Sequence, residues 1–311
     1  MSFQVDTAFV KQYHDNVEFL LQQKPSRLRS AVRVESQNGE EAFWEQIGTQ
    51  SMSEVSVRYG DSPQNDTPHA RRRVTLRQFD QGDFIDNFDK VKLLIDPSSS
   101  YVQAMTYAAN RQIDDVIIGR SADVGVDDTT VNSGFFGTAY TGKAGTTTVS
   151  FPTSTNQIAV DYSTTGTNSN LTINKLIQAR NILLGYENDP ELEPWYVAYH
   201  ASQLAALLKT TQVTSADYNT VKALVRGELD TFLGFKFLHS ERLLKTVSTS
   251  YRRVPVWTKS GMLLAIGKEI TTHISPRPDK KYSWYVYMML SIGVARMQEN
   301  KVLDILCDET K

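Results

Sequence analysis

The sequence predicts an α+β protein, and three observations carry that prediction. Asp96-Pro97 opens a long run of apolar residues at helical spacing, an N-cap acid followed by proline at the first helical position. Residues 53–59 and 72–79 alternate with the strand period around the turn-rich loop GDSPQNDTPHA, and the C-terminal part is mostly strand-like runs. At 311 residues the chain is long enough for one large or two modest domains and needs no staples.

In chain order, residues 6–23 put Phe9, Val10, Tyr13, Val17, Leu20 and Leu21 on one helical face, with Asp6 as N-cap and Pro25 as the stop. Together with an extended basic stretch through Arg33, residues 1–45 read as an N-terminal arm, although the same pattern suits an ordinary core helix. Residues 46–82 form the predicted hairpin. Val55, Val57, Tyr59, Val74 and Leu76 take its apolar sites, and Ser56, Arg58, Arg73, Thr75 and Arg77 its polar ones. A lone two-stranded ribbon is marginal in water, so this one needs a surface to lie on. The basic cluster Arg71, Arg72, Arg73, near Arg58 and Arg77, could meet nucleic acid or acids on another chain. Because stacking aromatics do not stand beside every arginine, pairing with acids on another chain is the better reading, beside an ordinary solvated surface.

The helix from Asp96-Pro97 should run to about Arg120, with Val102, Met105, Ala108 or Ala109, Ile113, Val116 and Ile117 on one face. That makes a rod of roughly 35 Å. Residues 121–170 turn to Ser, Thr, Gly and Asn, broken by strand-like pieces at 146–151 and 157–162. Thr172 caps a helix carrying Ile173, Leu176, Ile177, Ile182 and Leu183; residues 195–200 read as a buried strand and 201–209 as a short helix. The segment DYNTVKALVRGELDTFLGFKFLHS then gives a helix through Tyr218, Val221, Leu224 and Val225, closed by Gly227, and a strand at 235–239 after Gly234. Residues 122–240 thus form a mixed α/β domain. Strands at 262–266, 269–275, 282–295 and 302–307 bring the chain back beside the long helix, with Pro276 and Pro278 at a turn, so that 83–121 and 241–311 make one interwoven domain.

Composition excludes several classes. The 33 basic and 35 acidic residues leave a net charge of −2, which gives no whole-chain field to gather DNA or anionic lipid. No apolar run reaches the roughly 20 residues of a membrane-spanning helix, so no membrane partner is expected. Asp6 interrupts the N-terminus before any signal-peptide pattern forms. The single cysteine, Cys307, excludes an internal disulfide and reads as apolar filler in the last strand.

Catalytic chemistry finds only near misses, and no catalytic residue, cofactor site or metal site is assigned. Gly137-Thr138-Ala139-Tyr140-Thr141-Gly142-Lys143-Ala144 fits a phosphate-binding loop until Ala144, which has no hydroxyl for magnesium, and poor helix formers follow it. The five histidines have no zinc spacing. His200 with Ser202 lacks a nucleophile elbow and an evident acid. Asp114 and Asp115, being adjacent on a helix, point about 100° apart and do not share a site.

The ordered series of arm, hairpin, long helix, GTAYTGKAGTTTV, LTINKLIQARNILL, YVAYHASQLAALL, DYNTVKALVRGELDTFLGFKFLHS and ISPRPDKKYSWYVYMMLSIGVARMQENKVLDILCDE resembles the major capsid proteins of tailed double-stranded DNA phages. These have the Hong Kong 97 (HK97-like) fold, and the resemblance is to a podovirus-like branch. It implies an N-terminal arm, an extended hairpin or E-loop, a peripheral domain with a spine helix, and an axial domain at 122–240. It also implies pentamers and hexamers tiling an icosahedral virion shell, assembled in the host cytoplasm as a procapsid around scaffolding and portal proteins. Non-specific contact with packaged double-stranded DNA and a decoration protein outside belong to the same expectation. Because no long region precedes the arm, the scaffold is expected to be a separate protein. On this reading Arg58, Arg71, Arg72, Arg73, Arg77, Val55, Val57, Tyr59, Phe9, Tyr13 and Val17 are the candidate inter-subunit contacts. Deleting residues 56–77 should then leave a folded chain that cannot form stable shells. An encapsulin-like nanocompartment shell and a soluble α/β nucleotide-binding enzyme are the alternatives.

Overall fold

A computed structural model describes residues 22–55, 58, 60, 62, 64–85, 98–120, 134–164, 166–209, 231–246, 249 and 251–310. The expected helix carrying Phe9, Tyr13 and Val17, the Asp96-Pro97 helix start and the helix from Tyr218 to Gly227 lie outside these residues, as do Val57 and Tyr59. The elements are β1 (Arg33–Ser36), β2 (Glu41–Ile47), β3 (His69–Thr75), β4 (Arg77–Ile85), α1 (Ser98–Ile118), β5 (Ala139–Thr141), β6 (Thr147–Val149), α2 (Thr153–Asn156) and β7 (Gln157–Ile158). They continue with α3 (Ile173–Gly185), β8 (Trp195–Tyr199), α4 (Ala201–Lys209), β9 (Thr231–Phe232), β10 (Phe235–His239), β11 (Arg252–Thr258), β12 (Met262–Arg277), β13 (Ser283–Arg296) and β14 (Val302–Cys307). Strand orders are β1-β12-β13-β4, β7-β14-β11-β8-β10-β9 and β2-β3-β5-β6.

The chain divides into two compact units. The first contains residues 1–25, 78–111 and 268–290. Its core is the predicted helical stripe: Met105, with Val102 and Ala109, packs on Ile85, Ile270, Val286 and Met288. Because strand side chains alternate, β4 and β13 turn Phe84, Tyr285 and Tyr287 to the opposite face. There Phe84 lies 4.5 Å from Tyr285, Tyr285 stacks on Tyr287 at 6.0 Å, and the Arg277 guanidinium covers Tyr285.

The second unit contains 26–77, 112–267 and 291–311. The six-stranded sheet supplies its largest core, where Leu176, Ala179 and Leu183 of α3 and Leu207 of α4 pack on Trp195, Val197, Phe235, Val254, Val256, Leu303 and Ile305. Thr172 caps α3 as its sequence predicts, accepting from the Lys175 N–H. The Lys175 ammonium is buried and donates to three carbonyls, Ser169 (2.8 Å), Asn170 (3.1 Å) and Leu306 (2.9 Å), tying α3 to the last strand. Arg296, also buried, donates to the carbonyls of Phe135, Gly137 and Val149, which fixes the Ser/Thr/Gly-rich segment onto β13. At the sharp return between β9 and β10, Leu233 and Gly234 both have positive φ, 54° and 86°, the demand of a two-residue primed turn.

Three expectations need correction. Residues 53–55 form no strand; β3 pairs instead with β2, in antiparallel register from Glu41↔Thr75 to Ile47↔His69. Consequently residues 33–36 and 41–45 are not free arm but strands, β1 running parallel to β12 through Arg33↔Leu263. The C-terminal strands at 262–266 and 269–275 are one, β12, and β11 was missing from the sequence reading. The proline in β11 explains that omission. By strand alternation Pro255 shares a side with Arg253, whose N–H bonds Leu244, and with Trp257, which pairs with β8, so its missing N–H falls in the gap between those partners.

Candidate assembly surfaces

The sheet β2-β3-β5-β6 has two unlike faces. On the inner one, Val74 is fully buried with Leu263, Ala265, Ala295 and Met297, with Trp44 and Leu76 packed against them. Arg72 shares strand parity with Val74 and therefore points inward as well. It donates to the Met297 carbonyl at 2.9 Å and pairs with Glu299. Arg72 is thus used within the chain, and its reading as a surface contact is corrected. Gly293 lies against this strand so closely that a β-carbon there would stand 2.6 Å from the Thr75 carbonyl oxygen.

The outer face alternates charge and ring. Arg71 pairs with Glu45 at 2.6 Å and lies over Phe43, while Arg73 pairs with Glu41 at 3.0 Å and lies 4.6 Å over Tyr140. Both arginines are therefore answered inside the chain, though half-exposed pairs of this kind add little stability and remain open to exchange. Arg77 is half-buried at the start of β4, and Arg58 is exposed. Phe43 and Ile47, missed by the sequence reading, are exposed on this face. The strand-favouring Phe43, Trp44 and Ile47 were the only local signal, because the run Glu41–Ile47 does not alternate in polarity.

Between β2 and β3 the chain leaves the sheet for residues 48–68, whose described part contains neither helix nor strand. Its base is closed by Gly48 N–H to the Pro68 carbonyl (2.8 Å), by Asn65 to the Ser51 carbonyl (3.1 Å) and by Gln50 with Thr67. Beyond that base Met52 is fully exposed and Val55 is 84 % exposed. Beside it, a groove of about 540 Å³ is lined in part by Ile47 and by Leu192, which is 81 % exposed.

The phosphate-loop near miss becomes a hairpin here. Ala139–Thr141 pairs antiparallel with Thr147–Val149 around a Gly142–Gly145 turn, so the loop leads into a strand and not into a helix N-terminus that could receive phosphate. Asp114 and Asp115 face different partners, as adjacency on a helix requires. Asp114 accepts from Ser26 Oγ (2.6 Å) and the backbone N–H groups of Arg27 and Leu28, whereas Asp115 binds Arg242 through two nitrogens.

Mixed sheets wrapped by few helices, a long helix on a sheet, and an extended loop rooted in a separate small sheet are the architecture of a shell subunit of the HK97-like fold. Residues 5–309 match the family described as phage capsid protein, and the chain belongs to that family. Among solved structures, the capsid of cyanophage P-SCSP1u superposes with a TM-score of 0.71 at 15% identity, covering 98% of this chain and 94% of that one. The capsid of Ralstonia phage GP4 gives 0.70 at 10% identity over 96% and 95%, and that of Helicobacter pylori bacteriophage KHP30 gives 0.69 at 11% over 99% and 98%. No curated protein sequence matches the chain. Its function is that of a major capsid shell protein of the virion, a structural role filled by many copies of one chain.

Proposed function

We propose that the chain tiles as pentamers and hexamers into an icosahedral shell around double-stranded DNA, with residues 48–68 gripping a neighbouring subunit. The observation that supports this is the loop itself: Met52 and Val55 stand in solvent beyond a closed base, and an isolated extended segment gains stability only from a surface outside its own chain. A contact between unlike patches, repeated around a ring, closes without leaving open ends. In this reading the chain before β1 contributes the arm, residues 48–68 the E-loop, 78–111 with 268–290 the peripheral domain, and the six-stranded sheet with its helices the axial domain. Val55, Val57, Tyr59 and Arg58 belong to the loop contact and Phe9, Tyr13 and Val17 to the arm contact, while Arg71, Arg73 and Arg77 border the loop's root. The shell assembles in the host cytoplasm with scaffolding and portal proteins and touches packaged DNA without reading its sequence. The chain performs no catalysis of its own and uses no cofactor.

The test is a shortened loop. Residues 56–77 are the wrong cut, because β3 carries Val74 and Arg72 into the core. Replacing 50–66 by a short turn keeps β2 and β3 paired. The expected result is a folded, monodisperse chain that forms no closed shells by electron microscopy, while the parent chain does. Shells of parental stability from the shortened chain would overturn the loop's role, and parental particles carrying protein cargo instead of DNA would overturn the genome-shell reading.

A further inference from the structure

At the ends of β8 and β10, α4 begins with a capping box built on a histidine. His200 Nδ1 accepts the Ser202 backbone N–H (3.3 Å), and the Gln203 side-chain oxygen accepts the His200 N–H (3.1 Å). Glu241 accepts the Ala201 N–H at 3.0 Å, so the first turn of the helix has few unanswered donors. Because Nδ1 is used as an acceptor, the ring proton belongs on Nε2, where it is given to the Glu241 carboxylate.

We propose that His200 is a proton-operated cap: the neutral ring closes the first turn of α4, and the imidazolium cannot. Protonation turns Nδ1 from acceptor into donor, aimed at the Ser202 N–H, and sets a positive charge at the positive end of a helix. A new partner is within reach, since Nδ1 is 3.2 Å from Ser202 Oγ and 3.5 Å from Glu309 Oε1. The ring would therefore exchange a helix cap for an ion pair.

Every charged group around the ring bears on where this happens. Glu241 and Glu309 favour the cation, and Arg252 and Lys245 oppose it. Both carboxylates are already engaged: Glu309 by Arg252 (2.8 Å), Lys245 (2.6 Å) and Ser202 (2.8 Å), and Glu241 by His239 (2.6 Å) as well as Ala201. Burial, then Arg252, outweigh the carboxylates and hold His200 below the ordinary histidine value. The unfolded chain takes up this proton near pH 6.5. Since the folded chain takes it up only at lower pH, the cap's contribution is complete above about pH 6.5 and is lost as pH falls below it.

Hydrogen exchange of residues 200–209 in the full chain, corrected for the intrinsic pH dependence, tests this between pH 7.5 and 5. Protection should drop about fivefold on acidification, the scale of one lost cap. His200→Asn, which caps through an uncharged oxygen, should show no such drop. A flat wild-type profile, or an equal drop in His200→Asn, would assign any effect to His239 or the carboxylates and overturn the proposal. Should that variant not fold, the ring nitrogen shifts of His200 in the wild-type chain decide. A proton on Nε2 alone at pH 7.5 supports the cap, and any proton on Nδ1 at that pH refutes it.

Discussion

Lys175 shows how a charge can be buried without a counter-charge at bonding distance. Three carbonyl oxygens replace its water, while burial lowers its pKa against the opposing fields of the Asp161 and Asp308 carboxylates. Lys175→Met removes the donor and strands those oxygens, so unfolding in urea should show a loss of about 3 kcal/mol, the range for unmet buried partners of a charged group. Beside it, burial pushes the Cys307 thiol up to about 12. A neutral thiol is a poor nucleophile. Iodoacetamide should therefore leave Cys307 untouched in the native chain and label it fully in denaturant. Glu309 behaves oppositely: burial would raise it, but hydrogen bonds from Arg252, Lys245 and Ser202 outweigh that and hold it well below the carboxylate range. Its folded value lies below its unfolded one, so its contribution is whole above about pH 4.3 and drains away on further acidification. Arg252→Gln should flatten the acid limb of a pH–stability curve, and an unchanged limb would remove Glu309 as its cause.

At the scale of elements, the structure separates what local pattern can specify from what it cannot. α3, α4, β8 and β14 were legible because each has a cap, a period or an apolar run that needs no distant partner: Thr172 for α3, the continuous Trp195-Tyr196-Val197-Ala198-Tyr199 for β8. Thr172→Ala should cost about 1 kcal/mol, measured by thermal unfolding, since only one capped N–H is lost. β2 was illegible for the converse reason. Its alternation is broken into charge and ring, and its identity depends on β3 answering Glu41 and Glu45 with Arg73 and Arg71. Residues 53–59 alternate as well as any strand, yet pattern alone cannot supply a partner within the chain. Arg72 was misplaced by reading three arginines as one cluster, when the strand period puts the middle one opposite its neighbours. Pro255 hid β11 because a proline's tolerance depends on which neighbour lies at its N–H side, a fact of pairing and not of composition.

For the molecule as a whole, the loop proposed to grip a neighbouring subunit is also where the free chain is exposed. A protease should nick unassembled protein within residues 48–68, whose described residues are almost all exposed and form neither helix nor strand. The two fragments should nevertheless migrate together under native conditions, because seven residue pairs join β2 to β3 across the cut. Assembled shells should resist the same treatment. Separation of the nicked fragments without denaturant would show that the β2–β3 pairing does not hold the chain together.

Four of the five junctions between the two units fall inside regular elements, at residues 77 and 78 in β4, 111 and 112 in α1, 267 and 268 in β12, and 290 and 291 in β13. That has a consequence for inheritance. The first unit is gathered from three separate stretches of sequence, so no single crossover between two related genes can exchange it intact. A recombinant joined at one point would place half of a helix or strand from one parent against a partner fitted to the other. Lineages of this protein should therefore trade it whole, or trade only surface segments such as residues 48–68 that end where they begin.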